Sequence, residues 1–214
     1  FPTKHFWMLT EYFCPQGAGN HLWAKVFSQH PEVFGWKTLL ENYWEPHRTA
    51  EPFAEYWKDP SLLGKFDWSQ SDYYFTSISV PLGIPDSKEN PVWEPNLDLF
   101  KRVVEREGVD VKVAIIGRDQ SILNEQQHRI RTQSTLPMFL KQLRFTTGTP
   151  IFLSYELLYL YQDEYVKTLD VNIPVDSNVG HLLEDDANKK YVHSVDSSEL
   201  DTGNRKGVTF KKRP

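Results

Sequence analysis

The region from His5 to Phe27 consists of an aromatic-rich strand pattern, a glycine-rich turn and an amphipathic helix pattern. The strand pattern ends at Cys14-Pro15, and Asn20 is a residue type that caps helix N-termini. Such a turn directs backbone N–H groups and the positive end of a helix dipole into one small volume. We therefore expect a phosphate or sulfate of a nucleotide-type ligand to bind here. The alternative is a tight β–α turn that holds no ligand.

Strand and helix patterns alternate along the rest of the chain, after a first helix that His30-Pro31 ends. The predicted strands lie at 32–40, 73–80, 111–116 and 150–154, and the predicted helices at 97–107, 121–131 and 156–169. Strands separated by helices pair in parallel through right-handed crossovers. The pattern predicts an α/β fold, a three-layer α/β/α domain with a central parallel sheet.

No internal repeat or linker divides the chain, so we expect residues 1–214 to form a single domain. Residues 45–75 are predicted to form a loop region with short helices on the acceptor side. Up to residue 72 this region mixes proline, charged and aromatic residues without clear periodicity. The segment 188–214 is polar, and we expect it to be loosely ordered. The chain opens at Phe1 without a methionine, which leaves open whether its native N-terminus is complete.

Composition argues against several classes of protein. The net charge of −5 disfavours a surface that coats nucleic acid, so an anion site has to be built locally. The single cysteine, Cys14, excludes an internal disulfide, and no apolar run approaches the roughly 20 residues that span a bilayer. We expect a soluble, cytoplasmic protein. The His, Asp and Glu residues show no metal-ligand spacing, so no metal is expected, and the oligomeric state stays open.

Two further strand ends carry residues that suit the same ligand, because ligands bind beyond the carboxyl ends of parallel strands. Arg118 follows the buried strand pattern at 111–116 and can form a bidentate contact with a phosphate. Its alternative role is an ion pair with Asp119. Tyr155 follows the strand pattern at 150–154 and can stack on a base or hydrogen-bond to it. Its alternative role is that of a core aromatic residue.

Several motifs along residues 5–170 occur in the order found in the sulfotransferases that use 3′-phosphoadenosine 5′-phosphosulfate (PAPS). The chain resembles this family and looks like a short, divergent member of it. The corresponding segments are Pro15-Gln16-Gly17-Ala18-Gly19-Asn20-His21-Leu22, His30-Pro31, Val113 to Ser121 around Gly117-Arg118-Asp119, and Tyr155-Glu156-Leu157-Leu158. Beyond them, Arg205-Lys206-Gly207 is similar to the family's C-terminal Arg-Lys-Gly, and it equally fits a solvated charged tail.

The resemblance implies a P-loop-like sulfotransferase fold and transfer of a sulfuryl group from PAPS to a hydroxyl or amine of a small-molecule or carbohydrate acceptor. The second product is adenosine 3′,5′-bisphosphate, and no metal takes part. The implied donor-binding residues are Gly17, Ala18, Gly19, Asn20, His21, Leu22, Arg118, Gln126, Tyr155, Arg205, Lys206 and Gly207. The first six hold the 5′-phosphosulfate, Tyr155 lies near the adenine, and the others hold the 3′-phosphate, with Gln126 in place of the family's serine.

The chain lacks the loop lysine that neutralises charge on the bridging oxygen in this family; its place falls near Gln16 or Gly17. Sulfuryl transfer, like phosphoryl transfer, needs charge stabilisation at the leaving oxygen. We take His21 as the first candidate for this role. Lys25, one turn further along the helix, is less well placed.

Some bacterial relatives in the family place a catalytic glutamate after the first helix, where this chain has Glu41, Glu45 and His47. Burial beside Tyr43 and Trp44 would bring the pKa of a carboxylate towards the working pH of a general base. We expect Glu41 to be the catalytic base, with His47 as the second candidate. The alternatives are a Glu41 paired with a nearby cation and an exposed His47.

The aromatic residues of the loop region predict either one wall of an acceptor pocket or a packed core. They include Phe53, Tyr56, Trp57, Phe66 and Trp68. A non-catalytic sulfotransferase-like module that binds a nucleotide is a second interpretation of the chain, favoured by the missing loop lysine. A P-loop kinase of small molecules is a third, disfavoured because the Gly-Lys-Ser/Thr sequence is absent.

Overall fold

The computed structural model describes residues 3–11, 19–42, 45–80, 93–119, 141, 149–184 and 186, of which 7–11, 47 and 48 are described by their backbone alone. The predicted helix at 121–131 and the polar segment 188–214 lie outside these residues. The described elements are β1 (Lys4–Glu11), α1 (Asn20–Ser28), β2 (Val33–Phe34), α2 (Thr38–Glu41), α3 (His47–Ala50), α4 (Ala54–Lys58), a 3-10 helix (Pro60–Lys65), β3 (Tyr73–Ser79), α5 (Leu97–Arg106), β4 (Val109–Gly117), β5 (Ile151–Ser154), α6 (Tyr155–Thr168) and α7 (Gly180–Glu184).

Within the described residues, five strands form one parallel sheet in the order β2-β3-β1-β4-β5. β1 is the central strand, and it pairs with β4 along its whole length and with β3 from His5 to Glu11. β2 is short, and only Val33 and Phe34 pair with β3. The predicted α/β fold with a central parallel sheet is confirmed.

The interior is divided between two clusters of buried side chains. Alternate residues of β4 belong to different clusters: Ala114 and Ile116 to the first, Val113 and Ile115 to the second. Successive side chains of a strand point to opposite faces of a sheet, so each cluster lies on its own face. The first cluster includes residues of α1, α6 and α7, and the second includes residues of α4, the 3-10 helix and α5.

The aromatic residues of the loop region pack into the second cluster. Phe53 and Trp57 are buried, and the Trp57 and Phe100 rings stack with their centroids 3.8 Å apart. The half-buried Phe66 and Trp68 meet edge to face at 4.7 Å. Of the two interpretations of these residues, the packed core is therefore what the structure shows, and an acceptor pocket beside them stays a prediction. The predicted short helices of this region are present as α3, α4 and the 3-10 helix.

The predicted strand at 32–40 is wrong over most of its length, because β2 has two residues and α2 follows it. Contacts with the end of α1 turn the chain away from the sheet. The Trp36 backbone N–H donates to Ser28 Oγ at 2.9 Å. The Lys37 ammonium donates to the carbonyl oxygens of Ser28 and His30, each at 2.6 Å. Such long-range contacts leave no trace in hydrophobic periodicity.

The predicted helix at 156–169 is present as α6 but is interrupted at Gln162, where φ is +46° and ψ is −122°. Residues other than glycine rarely adopt this backbone conformation. Contacts with the start of α7 hold the interruption in place. Asp163 Oδ1 accepts a hydrogen bond from the Val179 backbone N–H at 2.8 Å, just before that helix.

We expect Gln162→Gly to stabilise the protein. The strain at this position is on the order of 1–3 kcal/mol, and glycine removes it at an entropic cost of roughly 0.5–1 kcal/mol. Urea denaturation should show a net gain of about 1 kcal/mol in the free energy of unfolding. Glu164→Gly, at an exposed position of the same helix, is the control and should lose about 1 kcal/mol. Similar losses in both variants would contradict strain at Gln162.

Candidate active site at the carboxyl edge of the sheet

The topology of the sheet predicts a ligand-binding position beyond the carboxyl ends of β1 and β4. From β1 the chain passes through α1 to β2 on one side of the sheet, whereas from β4 it continues to β5 on the other side. Ligands of open parallel sheets bind where neighbouring connections diverge in this way. Gly19 lies between β1 and α1, Arg118 follows β4, and Tyr155 follows the neighbouring strand β5.

Gly19 precedes α1 and has a φ of +93°, which favours glycine. A Cβ atom at this position would lie only 2.2 Å from Cδ2 of Tyr155. Gly19, rather than the predicted Asn20, is the capping residue, and its carbonyl oxygen accepts from the Trp23 N–H at 2.9 Å. The close approach brings the start of α1 against the residue that follows β5.

Asn20 is the first residue of α1 and is buried against β3. Its side-chain oxygen accepts a hydrogen bond from the Ser77 hydroxyl, and its Nδ2 donates to Ser79 Oγ at 3.4 Å. These contacts fix the start of the helix to the sheet. The predicted contact of Asn20 with a ligand stays a prediction, and its backbone N–H is the group best placed to make it.

His21 and Leu22 continue the first turn of α1. Leu22 is fully buried in the first cluster, so a ligand could reach only its backbone. His21 is half-buried, with its ring edge to face with Trp36 at 5.4 Å. Burial, together with the positive charge of Lys25, lowers the pKa of His21 to about 4. His21 is therefore a neutral imidazole at neutral pH, which can donate one hydrogen bond but carries no positive charge.

Arg118 follows β4, and its side chain is completely buried, with 0% of its surface exposed. The guanidinium carbon lies over the Tyr155 ring, 4.4 Å from the centroid, a distance typical of cation–π contacts. Its Nε lies 3.9 Å from Oε1 of Glu156. The same Glu156 oxygen accepts from the Asp119 backbone N–H at 2.9 Å. An ion pair therefore does form, with Glu156 rather than with Asp119.

Tyr155 begins α6 and is fully buried in the first cluster. Its hydroxyl donates a hydrogen bond to Oδ2 of the buried Asp186. Tyr155 thus joins Gly19 and Arg118, through its ring, to Asp186, through its hydroxyl. This is the core role that the sequence left open for Tyr155, and stacking of its ring on a base stays a prediction.

The predicted base residues lie in the segment after α1. Glu41 is exposed at the end of α2, and Glu45 is half-buried, accepting from Asn42 Nδ2 at 2.9 Å. His47 begins α3, and the structure describes only the backbone of His47. The structure describes no surroundings for Gly17, Ala18, Gln126, Arg205, Lys206 and Gly207, which lie outside the described residues.

Sequence reasoning missed a buried carboxyl group, that of Glu51, which is 3% exposed. Oε2 accepts from the Phe53 backbone N–H at 2.8 Å. Oε1 accepts from Thr76 Oγ1 at 2.6 Å and from the Ser77 backbone N–H at 3.4 Å. Thr76 Oγ1 in turn accepts from the Trp57 indole N–H at 3.0 Å. In the sequence, Glu51 stands in a charged segment and has nothing to distinguish it from an exposed glutamate.

Burial raises the pKa of Glu51 from 4.5 to about 8, against the opposing effect of its three hydrogen bonds. The donors from Thr76, Phe53 and Ser77 stabilise the carboxylate, but they do not replace the hydration that a buried charge loses. Glu51 consequently holds its proton to a higher pH than an exposed glutamate does.

We expect Gly19→Ala to destabilise the protein more than Gly108→Ala. Both glycines have a positive φ, +93° and +79°, so each substitution carries about 1–2 kcal/mol of backbone strain. A Cβ atom at Gly108 meets nothing within 4 Å, whereas at Gly19 it collides with Tyr155. Urea denaturation should therefore show a further loss of about 1–3 kcal/mol for Gly19→Ala. Equal losses would be incompatible with the contact between Gly19 and Tyr155.

Stability should fall with rising pH because of Glu51, and Glu51→Gln should remove that dependence. The folded-state pKa of about 8 lies above the ordinary value of 4.5, so the folded state holds the proton more tightly than the unfolded state. The resulting loss begins near pH 4.5 and is complete above pH 8. Its upper limit is on the order of 5 kcal/mol.

Urea denaturation of the wild type and Glu51→Gln at pH 5, 7 and 8.5 measures this effect. The variant should become more stable relative to the wild type as the pH rises. Glu32→Gln, at an exposed carboxyl, serves as the control and should follow the wild type. A constant difference between the wild type and Glu51→Gln would show that the carboxyl does not titrate in this range.

Among the described residues, no group of three or more His, Cys, Asp or Glu side chains is arranged to hold a metal ion. In the same part of the chain, every helix is too short or too polar to cross a membrane. Comparison of the chain with protein-family models, curated proteins and solved structures finds no match.

Proposed function

We propose that this chain is a PAPS-dependent sulfotransferase that transfers a sulfuryl group to a hydroxyl or amine of a small-molecule or carbohydrate acceptor. One observation carries the proposal. The three strand ends that resemble the family's donor-binding motifs come into contact, because Tyr155 meets both Gly19 and Arg118 at the carboxyl edge of a parallel sheet. This edge is where open parallel sheets bind their ligands.

The proposal includes a three-layer α/β/α arrangement of the sulfotransferase, P-loop-like kind. Buried clusters on both faces of an all-parallel sheet support it. The connection from the first strand of the sheet to the start of α1 is the place of the proposed 5′-phosphosulfate loop, Gly17 to Leu22. The proposed single domain, its cytoplasmic location and the absence of nucleic acid and metal from its function remain expectations from the sequence.

The residues around Gly19 and Arg118 fit an anionic donor. The first backbone N–H groups of α1 have no acceptor within the helix and point towards its N-terminal end, where they favour an anion. The planar guanidinium of Arg118 suits bidentate contact with the 3′-phosphate. Since it now lies over the Tyr155 ring, binding exchanges part of that cation–π contact for a contact with phosphate.

PAPS, when bound, supplies the sulfuryl group, whose sulfur forms a bond to the acceptor oxygen or nitrogen as its bond to the bisphosphate oxygen breaks. The proposed base, Glu41 or His47, takes the proton of the attacking group. Neutral His21 can donate a hydrogen bond to the leaving oxygen. Lys25, buried in the last turn of α1, supplies a positive charge that is near enough to lower the pKa of His21.

A non-catalytic module that binds the nucleotide is the second candidate function, and the state of His21 favours it. The family's loop lysine is missing, and the first substitute for it is uncharged. Both candidates predict binding of adenosine 3′,5′-bisphosphate, and only the enzyme predicts turnover. A P-loop kinase would instead need magnesium with ATP.

We expect adenosine 3′,5′-bisphosphate to stabilise the wild type in a thermal-shift titration without magnesium. At about 100 times its dissociation constant, the ligand adds about 2.7 kcal/mol to the free energy of unfolding. Arg118→Met, which keeps much of the apolar volume, should lose this stabilisation because it loses the contact with the 3′-phosphate. Arg102→Met, at an exposed arginine of α5, is the matched control and should keep it.

A folded wild type that bisphosphate does not stabilise would refute both the enzyme and the binding module. Stabilisation by magnesium with ATP, and not by bisphosphate, would favour the kinase. Where bisphosphate binds, incubation with radiolabelled PAPS and a panel of hydroxyl and amine acceptors distinguishes the enzyme from the module. Transfer of the label that Arg118→Met abolishes would establish the enzyme.

A further inference from the structure

Glu51 is a buried carboxyl to which the proposed mechanism gives no role. Its hydrogen bonds join the start of α4, through the Phe53 backbone, to the side chain of Thr76 and the backbone of Ser77 in β3. Through Thr76 it also connects to the Trp57 indole on α4. A carboxyl bonded in this way fixes the position of one helix relative to one strand.

The Glu51 side chain lies beside a part of β3 whose backbone needs a hydrogen-bond acceptor. β2 pairs with β3 only at Tyr73 and Tyr74, so no described strand continues along that side of β3 beyond Tyr74. A buried backbone N–H requires an acceptor. The Glu51 side chain supplies one to the N–H of Ser77.

Ser77 links this bond to the candidate active site. Its hydroxyl donates to the side-chain oxygen of Asn20, the first residue of α1, and Asn20 Nδ2 donates to Ser79 Oγ. Ser77 is thus bonded to Glu51 through its backbone N–H and to the start of α1 through its side chain. A displacement of Ser77 would move the backbone N–H groups that face the proposed phosphosulfate.

We propose that Glu51 is a positioning residue of the donor site, which acts through Ser77 on Asn20 to fix the start of α1. The inference rests on the proposed function for the nature of the ligand. The connection from Glu51 to Asn20 rests on the structure alone. Glu51→Gln retains one amide oxygen that can accept from Thr76 and from the Ser77 N–H and loses only the bond from Phe53, whereas Glu51→Leu fills the same space without any such bond.

Isothermal titration with adenosine 3′,5′-bisphosphate at pH 7 tests this role. Glu51→Leu should weaken binding on the order of tenfold, the lower end of what the loss of outer-shell partners costs at metal sites, and Glu51→Gln should stay within about twofold of the wild type. Val104→Ala, a buried substitution on α5 in the same cluster as Trp57, controls for general loss of stability and should bind normally. Ser77→Ala cuts the connection beyond Glu51 and should weaken binding like Glu51→Leu, even where Glu51→Leu fails to fold.

Wild-type affinity in Glu51→Leu, or in Ser77→Ala where Glu51→Leu does not fold, would overturn the proposal. The NMR signal of the Asn20 side-chain amide separates this result from a failure of the proposed function. It should shift in Glu51→Leu and Ser77→Ala and remain in place in Val104→Ala. Should the wild type not bind bisphosphate, the donor site itself would be refuted, and a shifted Asn20 signal would still establish the connection from Glu51. An unshifted signal would refute the connection as well.

Discussion

The contact between Tyr155 and Gly19 is the constraint on which the carboxyl edge of the sheet depends. It joins the start of α1 to the residue that follows an edge strand, across the ends of β1 and β4. Only glycine fits, because any Cβ atom would collide with the ring and because φ is positive. The same ring supports the guanidinium of Arg118, so one aromatic residue sets both proposed anion contacts.

A second constraint comes from the polar residues inside β3. Thr76, Ser77 and Ser79 are buried, and buried hydroxyls require hydrogen-bond partners. Those partners come from both faces of the sheet: Glu51 on the side of α4, and Asn20 on the side of α1. Through these hydrogen bonds, β3 fixes the positions of α1 and α4, which lie on opposite faces of the sheet, relative to each other. These hydrogen bonds offset part of the cost of burying a carboxyl here, and the rest of that cost raises its pKa.

Periodicity predicted the elements whose own residues decide their structure. The apolar run from Val111 to Ile116 predicts β4, and the spacing of Leu97, Phe100 and Val104 predicts α5. Long-range contacts decided the rest. The bonds of Lys37 to the end of α1 shortened β2, and a burial that no local pattern indicates set Glu51 apart from neighbouring glutamates. The candidate site was predictable to the extent that strand ends meet at one edge of a parallel sheet.

The electrostatics of α1 change which residue can stand in for the missing loop lysine. The sequence favoured His21 over Lys25, because His21 is closer to the turn. Both causes that lower the pKa of His21 disfavour its charged form. Burial removes the hydration of an imidazolium, and the positive charge of Lys25 repels it. Two like charges one helical turn apart would repel each other. His21, in the first turn of α1, therefore stays neutral and can act there only through its N–H, and the positive charge is carried by Lys25 in the last turn.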